Sequence, residues 1–371
     1  MKVAILTTHR ANNFGAMLQA YSLVMACREL GADAQIIDWR NPFFEKLYHK
    51  AWRMHRNPIP AIRHLIWFLN DEADSRKMFA DFRNSIPMSK MISKKIMLSK
   101  IESEYDSFIV GSDQVWNPSI LTNKVEAFDR TYLLDFVKEK PKYAYAASLG
   151  DRISINESLQ KEYAKELTTF AGITMREKEG SLFVENLVGK KIETVVDPVL
   201  LHDAEYWRRV AKARFNSRKR YALIYNLRRS RQLLCLAQKV VGSQNYDLIN
   251  LLIPAQVSTE GFGMTNAGPA ELLSYIDSAE CIFTNSFHAA AFAIIYGRNL
   301  YVQFVKAGTN ANSRMDNLFR LCGLTGRDVY EDSDTLIRFY DCSTKDECSI
   351  ERANNRAKDI LRQMIAGKSL K

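Results

Sequence analysis

Four short segments of this 371-residue sequence hold side chains that could do chemistry. In Asn12-Asn13-Phe14-Gly15-Ala16, polar amides and a glycine stand between an apolar run and a helical pattern. Gly15 allows close backbone approach, and the unpaired N–H groups of a helix start suit an anion or a sugar hydroxyl. The same residues also read as a helix start capped by asparagine. The second segment, Ser112-Asp113-Gln114-Val115-Trp116-Asn117, follows the apolar run SFIV. Open α/β sheets bind ligands at the carboxyl ends of their strands, and an aromatic ring beside hydroxyl-binding groups suits a sugar. The alternative is a capped turn over a buried Trp116. In Thr174-Met175-Arg176-Glu177, Arg176 is a planar fork for carboxylate or phosphate, or else the partner of Glu177 or Glu179. In Thr284-Asn285-Ser286-Phe287-His288, the histidine ends an apolar run and opens a helix of small residues. There it can give or take a proton near neutral pH, or help a helix start hold an anion. Lys306 and Arg314 lie within reach of the same crevice.

The elements that must position these residues follow from periodicity. VAILT is a short apolar strand; Ala20, Leu23, Val24, Cys27 and Leu30 then recur at helical spacing, and Gly31 ends that helix. AQIIDW is strand-like again, so the first 40 residues read as a β-loop-α-β unit of a parallel sheet. Further strands are expected at Ser107 to Val110, Lys142 to Ala147, Gly172 to Met175, Ile192 to Val196, Tyr221 to Tyr225, Leu248 to Leu252, Cys281 to Thr284 and Leu300 to Phe304. The fold class is α/β, with a break near 203–219 between two Rossmann-like domains, 1–203 and 204–340. The remainder, 341–371, is a helical segment: Ile350, Ala353, Ala357, Ile360, Leu361 and Met364 share one face, so the helix is expected to pack on a domain.

Composition narrows the class. With 47% hydrophobic and 25% charged residues the chain is an ordinary globular one, neither fibrous nor disordered. No run of 18 apolar residues occurs and no signal peptide opens the sequence, so a cytoplasmic protein is expected. The six cysteines include no CxxC pair, which indicates neither a zinc site nor a disulfide framework. Neither GxGxxG nor GxxxxGK[ST] is present, so nucleotide fingerprints are absent. The net charge is +10, and residues 41–100 carry twelve basic against five acidic side chains. A basic insertion is therefore expected at 43–100. It reads as a solvated face or, because Trp52, Leu65, Ile66, Trp67 and Phe68 lie among its cations, as a peripheral contact with anionic membrane. It holds no recognised nucleic-acid motif, and no nucleic-acid partner is expected.

Taken in order, these elements resemble the polysaccharide pyruvyl transferase family. The resemblance rests on Asn13-Phe14-Gly15-Ala16 with Leu18-Gln19-Ala20-Tyr21, Gly111 to Asn117, Tyr145-Ala146-Ala147-Ser148, Arg176-Glu177, Asp197-Pro198, Gly268-Pro269 with Glu271-Leu272-Leu273, Ser286-Phe287-His288 and Ser313-Arg314. It implies a glycosyltransferase-B-like architecture, two Rossmann-like domains facing across a cleft, with the acceptor on the first and the donor on the second. It also implies transfer of the enolpyruvyl group of phosphoenolpyruvate, a co-substrate rather than a cofactor, onto two hydroxyls of a sugar in a cell-surface polysaccharide or its lipid-linked precursor. On that reading His288 is general acid or phosphate ligand and Asp113 a base or hydroxyl orienter. Arg176, Lys306, Ser286 and Arg314 would bind the donor; Asn13, Gly15, Ser112, Gln114, Trp116 and Asn117 would bind the acceptor; no metal is required. A lipid-linked acceptor would bring the protein to the inner face of the membrane. Ala289 and Asn285 stand where the family often has Gly and Asp. A nucleotide-sugar-dependent glycosyltransferase of the same architecture is the alternative.

Overall fold

Short apolar runs become strands here because helices cover the sheets they build, and parallel strands are stable when buried on both faces. The computed structural model describes residues 1–42, 45, 73–117, 129–150, 156–213, 219–251, 264–265, 267–306 and 312–370. The first sheet comprises β1 (Lys2–Leu6), β2 (Asp33–Ile36), β3 (Ser107–Asp113), β4 (Lys142–Ala147), β5 (Gly172–Met175) and β6 (Glu193–Thr194). Its order is β2-β1-β3-β4-β5-β6, and every pairing is parallel. The second comprises β7 (Tyr221–Tyr225), β8 (Asp247–Leu251), β9 (Met264–Thr265), β10 (Cys281–Thr284), β11 (Asn299–Val305), β12 (Arg327–Glu331) and β13 (Thr335–Tyr340). Its order is β12-β13-β11-β10-β7-β8-β9.

The α/β reading therefore holds, with one correction to the expected all-parallel grammar. β13 runs antiparallel to β11, and β12 antiparallel to β13. Neither is marked by a run buried on both faces: β12, at the sheet edge, has no buried residue, and β13 beside it buries only Thr335, Ile337 and Tyr340.

The helices are α1 (Phe14–Glu29), α2 (Ala73–Asn84), α3 (Glu157–Leu167), α4 (Lys178–Val188), α5 (Ala204–Val210), α6 (Arg231–Gln244), α7 (Pro269–Ser278), α8 (Phe287–Ile295), α9 (Ser313–Leu321) and α10 (Glu347–Ile365). α1 is capped at its start by the Asn13 side chain and closes at Leu30, with Gly31 at a left-handed φ of 89°. It is buried on nearly every side, because it lies between the first sheet and helices of the second half. Phe14 marks that junction, its ring 5.0 Å from Phe79 of α2 and 5.4 Å from Tyr225 of β7. One hydrophobic cluster runs from Val3 and Ile5 through α1 to α7, α8 and β10. The two halves thus share a core beneath any cleft between them.

α10 begins three residues before the expected Ile350 and buries Ala357, Ile360, Leu361, Met364 and Ile365. It returns from the second sheet to the first half, where Arg356 makes two hydrogen bonds to Glu193 and the Leu370 N–H donates to the Ala171 carbonyl. Of the basic insertion, Trp52, Leu65, Ile66, Trp67 and Phe68 lie outside the described residues. Its described part forms α2, then parallel bridges from Met88 to Ile36 and from Ile92 to Trp39, then a 3-10 stretch at Lys95–Glu104.

Candidate functional site

Each sheet reverses its winding once. In the first sheet β2 and β3 flank β1; in the second β8 and β10 flank β7. At such a switch point the two outgoing connections diverge and leave a crevice beyond the carboxyl ends of the strands. Both crevices open into one polar cleft of about 280 Å³. Thr8 and Asn13 reach it from beyond β1, Asp113 and Gln114 from the end of β3, Leu227 and Arg228 from beyond β7, Asn285 to His288 from beyond β10, and Arg314 from α9.

Two helix starts converge there. Asn13 Oδ1 accepts from the Ala16 N–H and Ser286 Oγ from the Ala289 N–H, at 3.1 and 3.5 Å, so each cap satisfies one of the free amides of its helix and leaves others facing outward. The two starts touch. A Cβ on Gly15 would fall 2.0 Å from His288 Nδ1, so no larger residue fits while the imidazole stays where it is. The glycine is required by close approach of α1 to the ring of α8.

Behind His288 lies a buried charge cluster. His288 Nε2 is 3.5 Å from Asp197 Oδ2, and the same oxygen accepts from Arg176 Nη1 at 2.8 Å and lies 3.5 Å from the Ser112 hydroxyl. Asp197 Oδ1 accepts from the Val199 N–H. Burial would raise the Asp197 carboxyl, but His288 and Arg176 outweigh it and hold the group well below the usual carboxylate range. Arg176 is 2% exposed at its side chain; its Nη2 is 3.7 Å from Asp113 Oδ1, and its guanidinium lies over the Phe287 ring. Asp113 takes a left-handed φ of 72°, and its Oδ2 accepts from the Thr8 hydroxyl at 2.7 Å. Asp197 and Arg176 come from the first half and His288 from the second, so the cluster ties the halves together at the cleft floor. It also turns His288 Nε2 inward and leaves Nδ1 beside the start of α1.

The structure brings Asn13, Gly15, Asp113, Gln114, Ser286, His288 and Arg314 together at or against the cleft. It places four expected residues elsewhere. Trp116 is 1% exposed, donates from Nε1 to the Tyr132 carbonyl and packs edge-on to Phe170, so it is core rather than a sugar platform. Ser112 is fully buried and donates to the Ala146 carbonyl. Asn117 is buried and donates to Gln114 Oε1, bracing the turn rather than facing a ligand. Lys306 turns its ammonium to Glu331 at 2.5 Å and to the Asp332 carbonyl at 2.6 Å, away from the cleft. Arg176 pairs with Asp197 rather than with Glu177 or Glu179. Glu177 is itself buried, accepts from the Leu149 N–H, and is raised above the usual range by burial.

Sequence reasoning gave no role to Asp197, Thr8, Arg228 or Phe287. For Asp197 the signal was present, an acid closing an apolar run just before Pro198. Arg228 stands three residues beyond β7 and carried no comparable mark. A second cavity of about 660 Å³ lies behind Arg176 and Phe287, between α4, α9 and α10, with a mostly apolar wall that includes Leu182, Ile192, Val195 and Leu318. Among the described residues no group of three His, Cys, Asp or Glu stands close enough to hold a metal ion.

The model of the family described as polysaccharide pyruvyl transferase matches residues 13–302. Curated proteins yield no match. Among solved structures, the chain is similar to the UDP-GlcNAc 2-epimerase of Neisseria meningitidis bound to UDP-GlcNAc, with 10% identity over 80% of this chain and 81% of that one and a TM-score of 0.43. It is similar to the UDP-GlcNAc 2-epimerase of Methanocaldococcus jannaschii, with 16% identity, coverage of 81% and 83%, and a TM-score of 0.42. It is also similar to the glycosyltransferase SnogD of Streptomyces nogalater, with 12% identity, coverage of 99% and 95%, and a TM-score of 0.41.

Proposed function

The chain belongs to the polysaccharide pyruvyl transferase family, and we propose that its cleft moves the pyruvyl group of phosphoenolpyruvate onto two hydroxyls of one saccharide, closing a ketal and releasing phosphate. The acceptor would be a cell-surface polysaccharide or its lipid-linked precursor, met at the cytoplasmic face of the membrane. The observation that carries this reading is the meeting of two helix starts on one imidazole. A donor with a phosphate and a carboxylate needs two anion sites, and the starts of α1 and α8, with Arg314 and Arg228 on the walls, supply amides and cations for both.

The chemistry assigns roles to this chain's own atoms. His288 Nδ1 gives a proton to the methylene carbon of the donor, leaving an oxocarbenium-like centre. One sugar hydroxyl attacks that carbon, and Asp113, held by Thr8, takes its proton or orients it. The carbon–oxygen bond to phosphate then breaks, phosphate carries off its electron pair, and the second hydroxyl closes the ketal with loss of its proton. Asp197 steadies the imidazolium side of the ring throughout.

Calorimetric titration of phosphoenolpyruvate into wild type and Arg314→Gln tests this. Wild type should bind saturably, and Arg314→Gln should bind roughly tenfold more weakly or worse, the loss of one charge-assisted hydrogen bond. A folded wild type that ignores phosphoenolpyruvate, with and without saccharide, but is stabilised by UDP or GDP would overturn the reading in favour of a nucleotide-sugar donor.

A further inference from the structure

Residues 88–101, MSKMISKKIMLSKI, form a strip that the proposed reaction does not use. Ile92 and Leu98 are buried and pin it to the first half. Between and beside these anchors the side chains point outward: Met91 is 63% exposed, Ile96 70% and Met97 44%. Among the described residues five large hydrophobic side chains are exposed to this degree, and three of them lie within these seven positions. A folded chain rarely leaves such a cluster in water unless something covers it. Lys90, Lys94, Lys95 and Lys100 surround it, all exposed, and no acid falls within 88–101. Among the described residues, Asp135 pairs with Lys95 at 3.1 Å, and Glu102, next to the strip in sequence, has its Oε1 occupied by the N–H groups of residues 138–140.

Apolar tips ringed by four lysines match one surface chemistry well. The boundary of an anionic bilayer offers negative headgroups at the level of ammonium groups and hydrocarbon just below. Among the described residues no helix is long and apolar enough to cross a membrane, so the contact would be peripheral. The strip starts in register with the edge of the first sheet, with Ile92 bridged to Trp39 just beyond the carboxyl end of β2. That is the end of the sheet on which the cleft opens. We propose that this strip docks the protein on an anionic lipid surface, with Met91, Ile96 and Met97 entering the interface and Lys90, Lys94 and Lys100 binding headgroups. The docking does not depend on the pyruvyl transfer reading.

The test is co-sedimentation with phosphatidylcholine vesicles, with and without phosphatidylglycerol, for wild type, Ile96→Gln/Met97→Gln and Lys94→Gln/Lys100→Gln. All four positions are exposed, so melting temperatures should match wild type, and phosphoenolpyruvate titration of the same proteins reads the cleft separately. The expected result is binding only to vesicles containing phosphatidylglycerol, weakened by salt, and reduced roughly tenfold or more in each double variant. The proposal is overturned by a wild type that ignores anionic vesicles, by equal binding to phosphatidylcholine alone, or by variants that bind as wild type does. It is also overturned if Ile96→Gln/Met97→Gln abolishes a concentration-dependent dimer while no form binds vesicles, because a second copy would then cover the patch.

Discussion

The two cavities that share Phe287 and Arg314 differ in a way that volume alone would misjudge. The larger, about 660 Å³, presents mostly apolar surface between α4, α9 and α10, with cations such as Lys178, Arg320 and Arg356 spread around its wall rather than converging on one point. The smaller, about 280 Å³, gathers two helix starts, an imidazole, a carboxylate and two arginines from both sheets. Chemistry needs convergent polar groups held rigidly, and those collect where both sheets reverse their winding. Arg176 shows how the regions divide. It lines the larger cavity, yet its ion pair with Asp197 supports the histidine of the smaller one. The wall between them is the buried cluster Arg176, Asp197 and His288, and it can be broken from either side.

Asp197→Ala should have the largest effect. It leaves the Arg176 guanidinium buried without its closest partner, which costs about 3–5 kcal/mol of stability. The fall would appear as a lower urea midpoint. An unchanged midpoint would mean that the wall is not held by this pair and that the two cavities are independent. The same carboxylate sets a pH dependence. Its folded pKa lies below the ordinary value, so the native state binds the proton less readily than the unfolded chain. The stabilisation is complete above the unfolded value of about 4 and is lost as pH falls below it toward the folded value. Urea midpoints from pH 7 down to pH 3 should therefore decline in wild type and decline less steeply in Asp197→Asn.

Gly15→Ala should come next. The added methyl meets His288 Nδ1 at 2.0 Å, so either α1 or the ring must shift. Overpacking of this kind costs about 1–3 kcal/mol. Its functional mark should be selective: phosphoenolpyruvate binding is lost, whereas Leu182→Ala, on the wall of the larger cavity, leaves binding intact. Equal loss in both variants would shift the donor site toward the larger cavity.

What could be read beforehand follows the same division. Buried parallel strands announce themselves as apolar runs, and each of the ten expected became a strand, though Ile192 to Val196 shortened to Glu193–Thr194. β12 and β13 were illegible because neither is buried on both faces: β12 is an exposed edge strand, and β13 beside it buries only half of its residues. At the site, helix starts were legible from Asn13, Gly15, Ser286 and His288, since capping and close approach restrict residue type locally. The segment from Ser112 to Asn117 offers two readings, a ligand-binding strand end or a capped turn over a buried Trp116, and the structure divides it between them, because the chain turns as β3 ends at Asp113. Asp113 and Gln114 reach the cleft while Ser112 and Trp116 turn into the core. Asp197 acts on His288 across 91 positions of sequence, a partnership that local pattern cannot encode. Lys306 failed for a related reason, because its partner Glu331 lies on β12, the strand that sequence did not reveal.

The smallest expected effect is at the rim of the larger cavity. Arg356 of α10 makes a two-pronged contact with Glu193 of β6, but both side chains are well exposed, at 55% and 40%. Solvent screens such a pair, so Arg356→Ala should cost less than about 1 kcal/mol and leave phosphoenolpyruvate titration unchanged. α10 would stay in place through its apolar face, where Ile360, Leu361 and Met364 are buried. A loss several times larger would mean that the contact clamps α10 across the mouth of the cavity. The larger region would then be a structural seam closed by its rim, and the contrast with the polar cleft would become one between a joint and a site.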